Sequence, residues 1–108
     1  MYARVTTLTL KKGKAKEAVR IYEASVLPAA KAQEGYGGSY VLADWETDKG
    51  VVLTFWESEK DAVANEENRY YQEQLIKVMN LLAVPPFREG YEVAVESRQE
   101  PAAQRKFK

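Results

Sequence analysis

The stretch Val51–Asp61, VVLTFWESEKD, marks a junction between two kinds of secondary structure. Residues Val51–Trp56 are β-branched, aliphatic or aromatic, a composition typical of a strand that is buried on both faces. Ser58 stands three residues before Asp61, and at a helix start its hydroxyl can accept a hydrogen bond from an unpaired backbone N–H. The acid is also favoured there by the positive end of the helix dipole. This stretch therefore predicts a central strand that leads directly into a helix.

Length and charge narrow the classes of protein to consider. The 108 residues correspond to one domain, and their 45% hydrophobic content is sufficient for a core. Lys and Arg total 16, as do Asp and Glu, so the formal net charge is zero. Without a basic excess, no long-range field attracts the chain to nucleic acid or to a membrane surface. We therefore expect neither as a partner.

The chain contains neither cysteine nor histidine. These absences exclude disulfides, thiolate nucleophiles, Ser-His-Asp machinery and haem or zinc held by histidine. Any chemistry must use carboxylates, phenols, amides, hydroxyls, Lys, Arg or backbone groups. The N-terminus lacks a signal-peptide pattern, and no apolar run approaches the roughly 20 residues that cross a bilayer. The expectation is a cytoplasmic protein.

Hydrophobic periodicity divides the rest of the chain into strands and helices. Pro28 should interrupt the first helix near Leu27, because proline lacks a backbone donor. The polar run Asn65–Arg69 is expected to break the second helical region. In chain order, the predicted elements are a strand at Tyr2–Leu10, a helix at about 14–33, strands at Ser39–Trp45 and Val51–Trp56, helices from Ser58 to about Leu82, and a strand at Tyr91–Ser97.

This β-α-β-β-α-β order predicts an α+β fold of the ferredoxin-like type, with an antiparallel sheet and both helical crossovers on one face. The other face would expose a large apolar surface, which soluble monomers rarely do. We therefore expect a homodimer that packs sheet against sheet. Residues 1–97 form the predicted domain and residues 98–108 a basic C-terminal tail. The apolar residues expected on the uncovered face are Val51, Leu53, Phe55, Tyr91, Val93 and Val95.

Four segments together resemble the antibiotic biosynthesis monooxygenase family. They are VTTLTLKKGK, VLPAAKAQEGYGG, LTFWES and PPFREGYEV, and the resemblance covers about residues 2–96. It implies a dimeric α/β barrel, in which each protomer keeps a pocket between its sheet and its helices. Some members of that family oxidise phenols, anthrones or quinols with O₂ and no cofactor, and others bind and degrade haem.

The haem-degrading branch depends on three side chains that this chain lacks. That branch uses an Asn on the first strand, a Trp on the second helix and a His ligand further along. The corresponding positions here hold Thr6, Asn65 and Leu75, and no histidine exists to replace the ligand. A His-ligated haem-degrading enzyme is therefore not expected, and the resemblance implies neither a metal nor an organic cofactor.

Cofactor-independent oxygenation requires an apolar pocket, loss of a substrate proton and stabilisation of the resulting anion. Asn and Tyr side chains would position the substrate oxygens, and Arg4 would stabilise the anion. The candidate catalytic residues are Arg4, Tyr22, Asn65 and Tyr71. The candidate substrate-binding residues are Thr6, Asn68, Leu75 and Met79.

Each candidate also has a structural explanation. The two tyrosines lie on apolar stripes and can be core residues, the asparagines can cap the helix break, and Arg4 can pair with an acid. The leading hypothesis is a monooxygenase acting on a small aromatic ligand. The alternatives are a small-molecule binding protein that uses the same pocket and a module whose pocket is filled by its own side chains.

Overall fold

The computed structural model describes residues 1–99, in which four antiparallel strands form one sheet. The strands are β1 (Tyr2–Thr9), β2 (Tyr36–Asp44), β3 (Lys49–Trp56) and β4 (Phe87–Glu92), and their spatial order is β2-β3-β1-β4. Val51–Trp56 therefore lies in a central strand, β3, as predicted. This strand order and the two helical crossovers confirm the α+β ferredoxin-like fold.

Alternation along the strands separates an inner face, which the helices cover, from an outer face. On β1 and β3 the even-numbered residues face inward, and the register places Arg4 opposite Thr54 and Thr6 opposite Val52. The odd-numbered residues of both strands face outward. Val51, Leu53 and Phe55 are only half-buried, because nothing within residues 1–99 covers the outer face. Burial of this strand on both faces is thus not achieved by a single chain.

The first helical region is interrupted where proline predicts it. Helix α1 (Ala15–Ile21) continues into a π-helical turn at Tyr22–Val26, and α2 (Leu27–Lys31) begins immediately afterwards. The N–H of Leu27 donates to the carbonyl of Tyr22, five residues back, and Pro28 occupies the first turn of α2. Pro28 has no N–H to donate, and the hydrogen-bond register has already changed in the π-helical turn before it.

The second helical region is also divided as expected. The Ser58 hydroxyl accepts from the N–H of Asp61 at 3.2 Å and begins helix α3 (Glu59–Glu67). The chain then turns through Arg69 at φ 71°, and α4 (Tyr70–Val78) follows. Asn68 accepts from the N–H of Tyr70 at 3.0 Å, so the polar run both ends one helix and caps the next.

The last strand differs from its predicted position. The expectation was Tyr91–Ser97, but β4 spans Phe87–Glu92 and pairs with β1 from Thr7 back to Tyr2. One further bond joins the N–H of Val93 to the carbonyl of Met1 at 2.9 Å. The residues that follow, up to position 99, belong to no strand, so the apolar residues there do not extend the ladder. The predicted tail falls outside the described residues from position 100 onward.

Two small core clusters lie at opposite ends of the inner face. One contains Tyr2, Trp56 and Ala62, and the other contains Leu10, Ala18 and Leu81. A 3₁₀ turn at Met79–Leu81 places Leu81 of the second cluster against the sheet. Because neither cluster extends to the middle of the inner face, a cavity remains between them. Within residues 1–99, no helix is both long and apolar enough to cross a membrane.

Candidate functional site

A cavity of about 140 Å³ lies between the inner face of the sheet and the helices. A cavity of similar size accommodates benzene in another protein, so a small aromatic ring fits here. Most of its wall is aliphatic, with polar groups confined to a few positions, as is usual for ligand sites. The wall includes Arg4, Thr6, Leu8, Val19, Tyr22, Val41, Val52, Thr54, Trp56, Asn65, Tyr70, Tyr71, Gln74, Leu75, Val78 and Arg88.

Two arginines share one carboxylate on this wall. The Nη2 of Arg4 donates to Oε1 of Glu66, and the Nη2 of Arg88 lies 2.8 Å from Oε2 of the same side chain. The guanidinium of Arg88 stacks over the ring of Tyr71, with 3.7 Å from Cζ to the ring centroid. Two positive charges thus meet one negative charge, leaving an excess of one positive charge beside an apolar cavity.

The sequence provides room for this cluster at Gly90. In the β1–β4 register, Gly90 stands opposite Arg4. A Cβ atom at this position would overlap the hydroxyl of Tyr2 and crowd the guanidinium of Arg4. Glycine is required there because the two side chains approach the backbone closely.

A cluster of phenols occupies another part of the site. The hydroxyls of Tyr22 and Tyr36 both donate to Oγ of Ser39, at 3.0 and 2.8 Å. Burial raises the pKa of Tyr22, and burial together with the two neighbouring phenols raises the pKa of Tyr70 well above its ordinary value. Tyr22 and Tyr70 therefore remain protonated at neutral pH. Tyr70 is suited to donate a hydrogen bond to a ligand oxygen, whereas the proton of Tyr22 is already donated to Ser39. Neither phenol is suited to remove a proton from a ligand.

Asn65 is the buried polar residue of α3, with 5% of its surface exposed. Its Nδ2 donates weakly, at 3.4 Å, to the carbonyl of Asp61 one turn earlier. On the adjacent strand, Nε1 of Trp56 donates to Oγ1 of Thr54 at 3.2 Å, and both residues also line the cavity. An amide and a hydroxyl are thus available on the side of the cavity that α3 and β3 form.

Six of the eight residues predicted for the site line this cavity, namely Arg4, Thr6, Tyr22, Asn65, Tyr71 and Leu75. Asn68 and Met79 lie outside it. Asn68 is exposed because it stands at the helix break, where its side chain caps α4. Met79 is 49% exposed because α4 ends at Val78 and the chain changes to a 3₁₀ turn, which removes Met79 from the helical stripe.

Sequence reasoning missed Arg88, Glu66 and Tyr70. The predicted final strand began too late to include Arg88, which pairs in register with Thr6. Glu66 belongs to an acidic run that resembles a solvated helix face, and its partners lie on distant strands. The position of Glu66 next to Asn65 was the one available signal. Among residues 1–99, no group of three acidic, histidine or cysteine side chains could hold a metal ion.

Comparison with known proteins decides the family. A model of the antibiotic biosynthesis monooxygenase family matches residues 1–74, more than half of the chain. The chain belongs to this family. Membership confirms the resemblance inferred from the sequence motifs and supports a monooxygenase-like or small-molecule-binding role. A search of curated proteins gave no match.

Solved structures with the same fold are similar over most of their length. A monooxygenase from the gene ActVA-Orf6 of Streptomyces coelicolor, in complex with nanaomycin D, gives a TM-score of 0.74 at 16% identity over 92% of each chain. NE2512 of Nitrosomonas europaea, a protein of unknown function, gives 0.71 at 21% identity over 93% of this chain and 95% of its own. Rv0793 of Mycobacterium tuberculosis gives 0.71 at 14% identity, covering 90% and 98%. At these identities the similarity shows the fold.

Proposed function

We propose that the protein is a cofactor-independent monooxygenase that oxidises a small phenol, anthrone or quinol with O₂. The observation that carries this proposal is the combination of an aliphatic cavity with the Arg4 and Arg88 pair on its wall. The cavity would hold an aromatic ring away from water, and the guanidiniums would stabilise the negative charge that develops on its oxygen. Family membership and the nanaomycin D complex of the Streptomyces coelicolor monooxygenase support it.

The proposed reaction needs few groups from the protein. Two cations next to a bound phenol or enol lower its pKa, so that its proton is released to solvent. The anion passes one electron to O₂, and the resulting superoxide and substrate radical combine into a peroxide. For an anthrone, the peroxide then loses water to leave a carbonyl. One oxygen atom enters the product and the other leaves as water with the two hydrogens that the substrate loses.

Specific roles follow from the positions of the side chains. Tyr70 stays protonated and would donate to an oxygen of the substrate, and Tyr22 would do so by exchanging its bond to Ser39. Asn65 would fix the reacting oxygen from the α3 side. Arg4 and Arg88 would hold the anion, and Tyr71 would keep the Arg88 guanidinium in place by stacking. Thr6 and Leu75 would contact the ring from the sheet and from α4.

The first test is O₂ consumption by the purified protein with a panel of anthrones, naphthoquinols and catechols, in the presence of a chelator. Heat-denatured protein measures autoxidation. The expected result is saturable uptake that the chelator does not reduce. Tyr22→Phe and Asn65→Ala should each lower the turnover by tenfold or more. Asn80→Ala, at an exposed position away from the cavity, is the matched control.

A non-catalytic binding protein is the second candidate. It is favoured by the raised pKa values of Tyr22 and Tyr70, because neither phenol is suited to act as a general base. A binding protein would show no O₂ uptake across the panel, while the same compounds would still raise its melting temperature. That pair of results would replace the monooxygenase proposal.

We also propose that the protein forms a homodimer through its outer sheet face. This face exposes Tyr40, Leu42, Phe87 and Tyr91, each of them more than half exposed, around the half-buried Phe55 of the central strand. A second copy would remove this apolar surface from water. Sedimentation at micromolar concentration should give about twice the 12.3 kDa of the chain. A species of chain mass at that concentration would contradict the proposal.

A further inference from the structure

The charged residues on the cavity wall all have the same sign. They are Arg4, Lys49 and Arg88, and within residues 1–99 no aspartate or glutamate lines the cavity. Lys49 stands at an odd position of β3, whose odd-numbered side chains face outward, so the two arginines supply the charge on the inner face. Glu66 forms ion pairs with both arginines but does not itself line the cavity. A ligand in this cavity therefore meets cations and no carboxylate.

The arginine pair is only partly neutralised. Glu66 is the single acidic partner of both guanidiniums among the described residues. The Nε of Arg4 is buried without a hydrogen-bond partner, and its Nη1 has only a long bond of 3.4 Å to the hydroxyl of Tyr2. Arg88 has one face covered by Tyr71, so it can donate mainly from its edge. A cation that is incompletely paired next to an apolar surface is stabilised by a further anion.

We propose that the ligand of this cavity is an aromatic acid, whose carboxylate binds the Arg4 and Arg88 pair while its ring packs on the aliphatic wall. This inference rests on the proposed function, because it takes the cavity as the substrate site, and it adds the substrate class. A carboxylate matches the edge of a guanidinium with two parallel acceptors, which a neutral phenol cannot offer. With the carboxylate bound, two anionic groups balance the two guanidiniums, and no positive charge is left uncompensated.

The test compares two ligands of nearly the same shape, one charged and one neutral. One is a hydroxybenzene with a carboxylate ortho to its hydroxyl, and the other has a primary amide at the same position, so each has the single ring that the cavity accommodates. Their dissociation constants are measured by calorimetry without turnover, under nitrogen, at neutral pH and low salt. The acid should bind about tenfold more tightly than the amide, since charge-assisted hydrogen bonds are roughly twice as strong as neutral ones and the carboxylate meets two guanidiniums. Raising the salt concentration should reduce the ratio.

Two variants test whether the arginines cause the preference for the acid over the amide. Arg88→Gln and Arg4→Gln should each lower the ratio of the two dissociation constants by fivefold or more, while Arg20→Gln on the exposed part of α1 should leave it unchanged. General damage to the fold weakens both ligands equally and leaves the ratio intact, so the ratio distinguishes charge recognition from instability. A wild-type ratio near one would overturn the proposal, as would a ratio that neither cavity variant changes.

These measurements test the proposed ligand class and the proposed monooxygenase activity separately. If the acid binds selectively through both arginines but consumes no O₂ when air is admitted, the ligand class stands and the monooxygenase proposal falls. If O₂ uptake occurs with neutral quinols and the acid has no advantage in binding, the monooxygenase proposal stands and the ligand class falls.

Discussion

Replacing Glu66 with glutamine removes the one carboxylate between Arg4 and Arg88 and keeps the size of the side chain. In the native protein, the three side chains are 18% (Arg4), 21% (Arg88) and 27% (Glu66) exposed. These values lie between those of surface pairs, which contribute about 0–1 kcal/mol, and of fully buried pairs, whose disruption costs about 3–5 kcal/mol. We expect Glu66→Gln to lower the free energy of unfolding by about 2 kcal/mol.

For a chain of this size, about 1 kcal/mol shifts the melting temperature by roughly 4–8 °C, so the expected loss is about 8–16 °C. Urea unfolding followed by circular dichroism measures it directly, with protein concentration fixed because association contributes to stability. Glu67→Gln is the matched control, since its side chain is exposed and makes no ion pair within residues 1–99. Added chloride should recover part of the loss by binding the unpaired guanidiniums. A decrease in the free energy of unfolding below about 0.5 kcal/mol, as for a surface substitution, would show that the Glu66 carboxylate does not stabilise the fold by pairing with both arginines.

Three further predictions concern the fold around the site. Ser58→Ala should lower stability by about 1 kcal/mol in thermal melts, because it removes the cap of α3. Gly35→Ala should be clearly worse than Gly13→Ala in the same assay: both residues have positive φ, but only at Gly35 would a Cβ overlap Asp61. The raised pKa of Tyr70 predicts a loss of stability in alkali, because above its ordinary value of 10.0 the unfolded chain ionises while the folded protein does not. Stability should therefore be intact below about pH 10 and fall above it, and Tyr70→Phe should show a shallower decline in melting temperature between about pH 9 and about pH 11.

Local signals in the sequence were sufficient for most of the fold. The strand at Val51–Trp56 and the cap at Ser58 depend on composition and on a contact three residues away, so they can be recognised without tertiary information. Pro28 and the polar run ending at Arg69 interrupt the helices for equally local reasons. Hydrophobic periodicity predicted the order of the elements, and the family motifs agreed with it.

The parts that the sequence did not reveal depend on distant contacts. The extent of β4 depends on its pairing with β1, at least 80 positions earlier in the chain, and not on the apolar residues that follow Glu92. Glu66 bonds to Arg4 across 62 positions, and no periodicity distinguishes it from its solvated neighbours. Two of the three charged residues of the site, Glu66 and Arg88, were therefore inaccessible to pattern analysis, although the strand position of Arg4 was predicted correctly.

Monooxygenase activity is tested most simply by supplying oxygen-18 gas to the metal-free protein with an anthrone that it consumes, and analysing the quinone by mass spectrometry. A cofactor-independent monooxygenase should place one oxygen-18 atom in each quinone and consume one equivalent of O₂. A quinone without label, or labelling no faster than with heat-denatured protein, would contradict the assignment of monooxygenase activity.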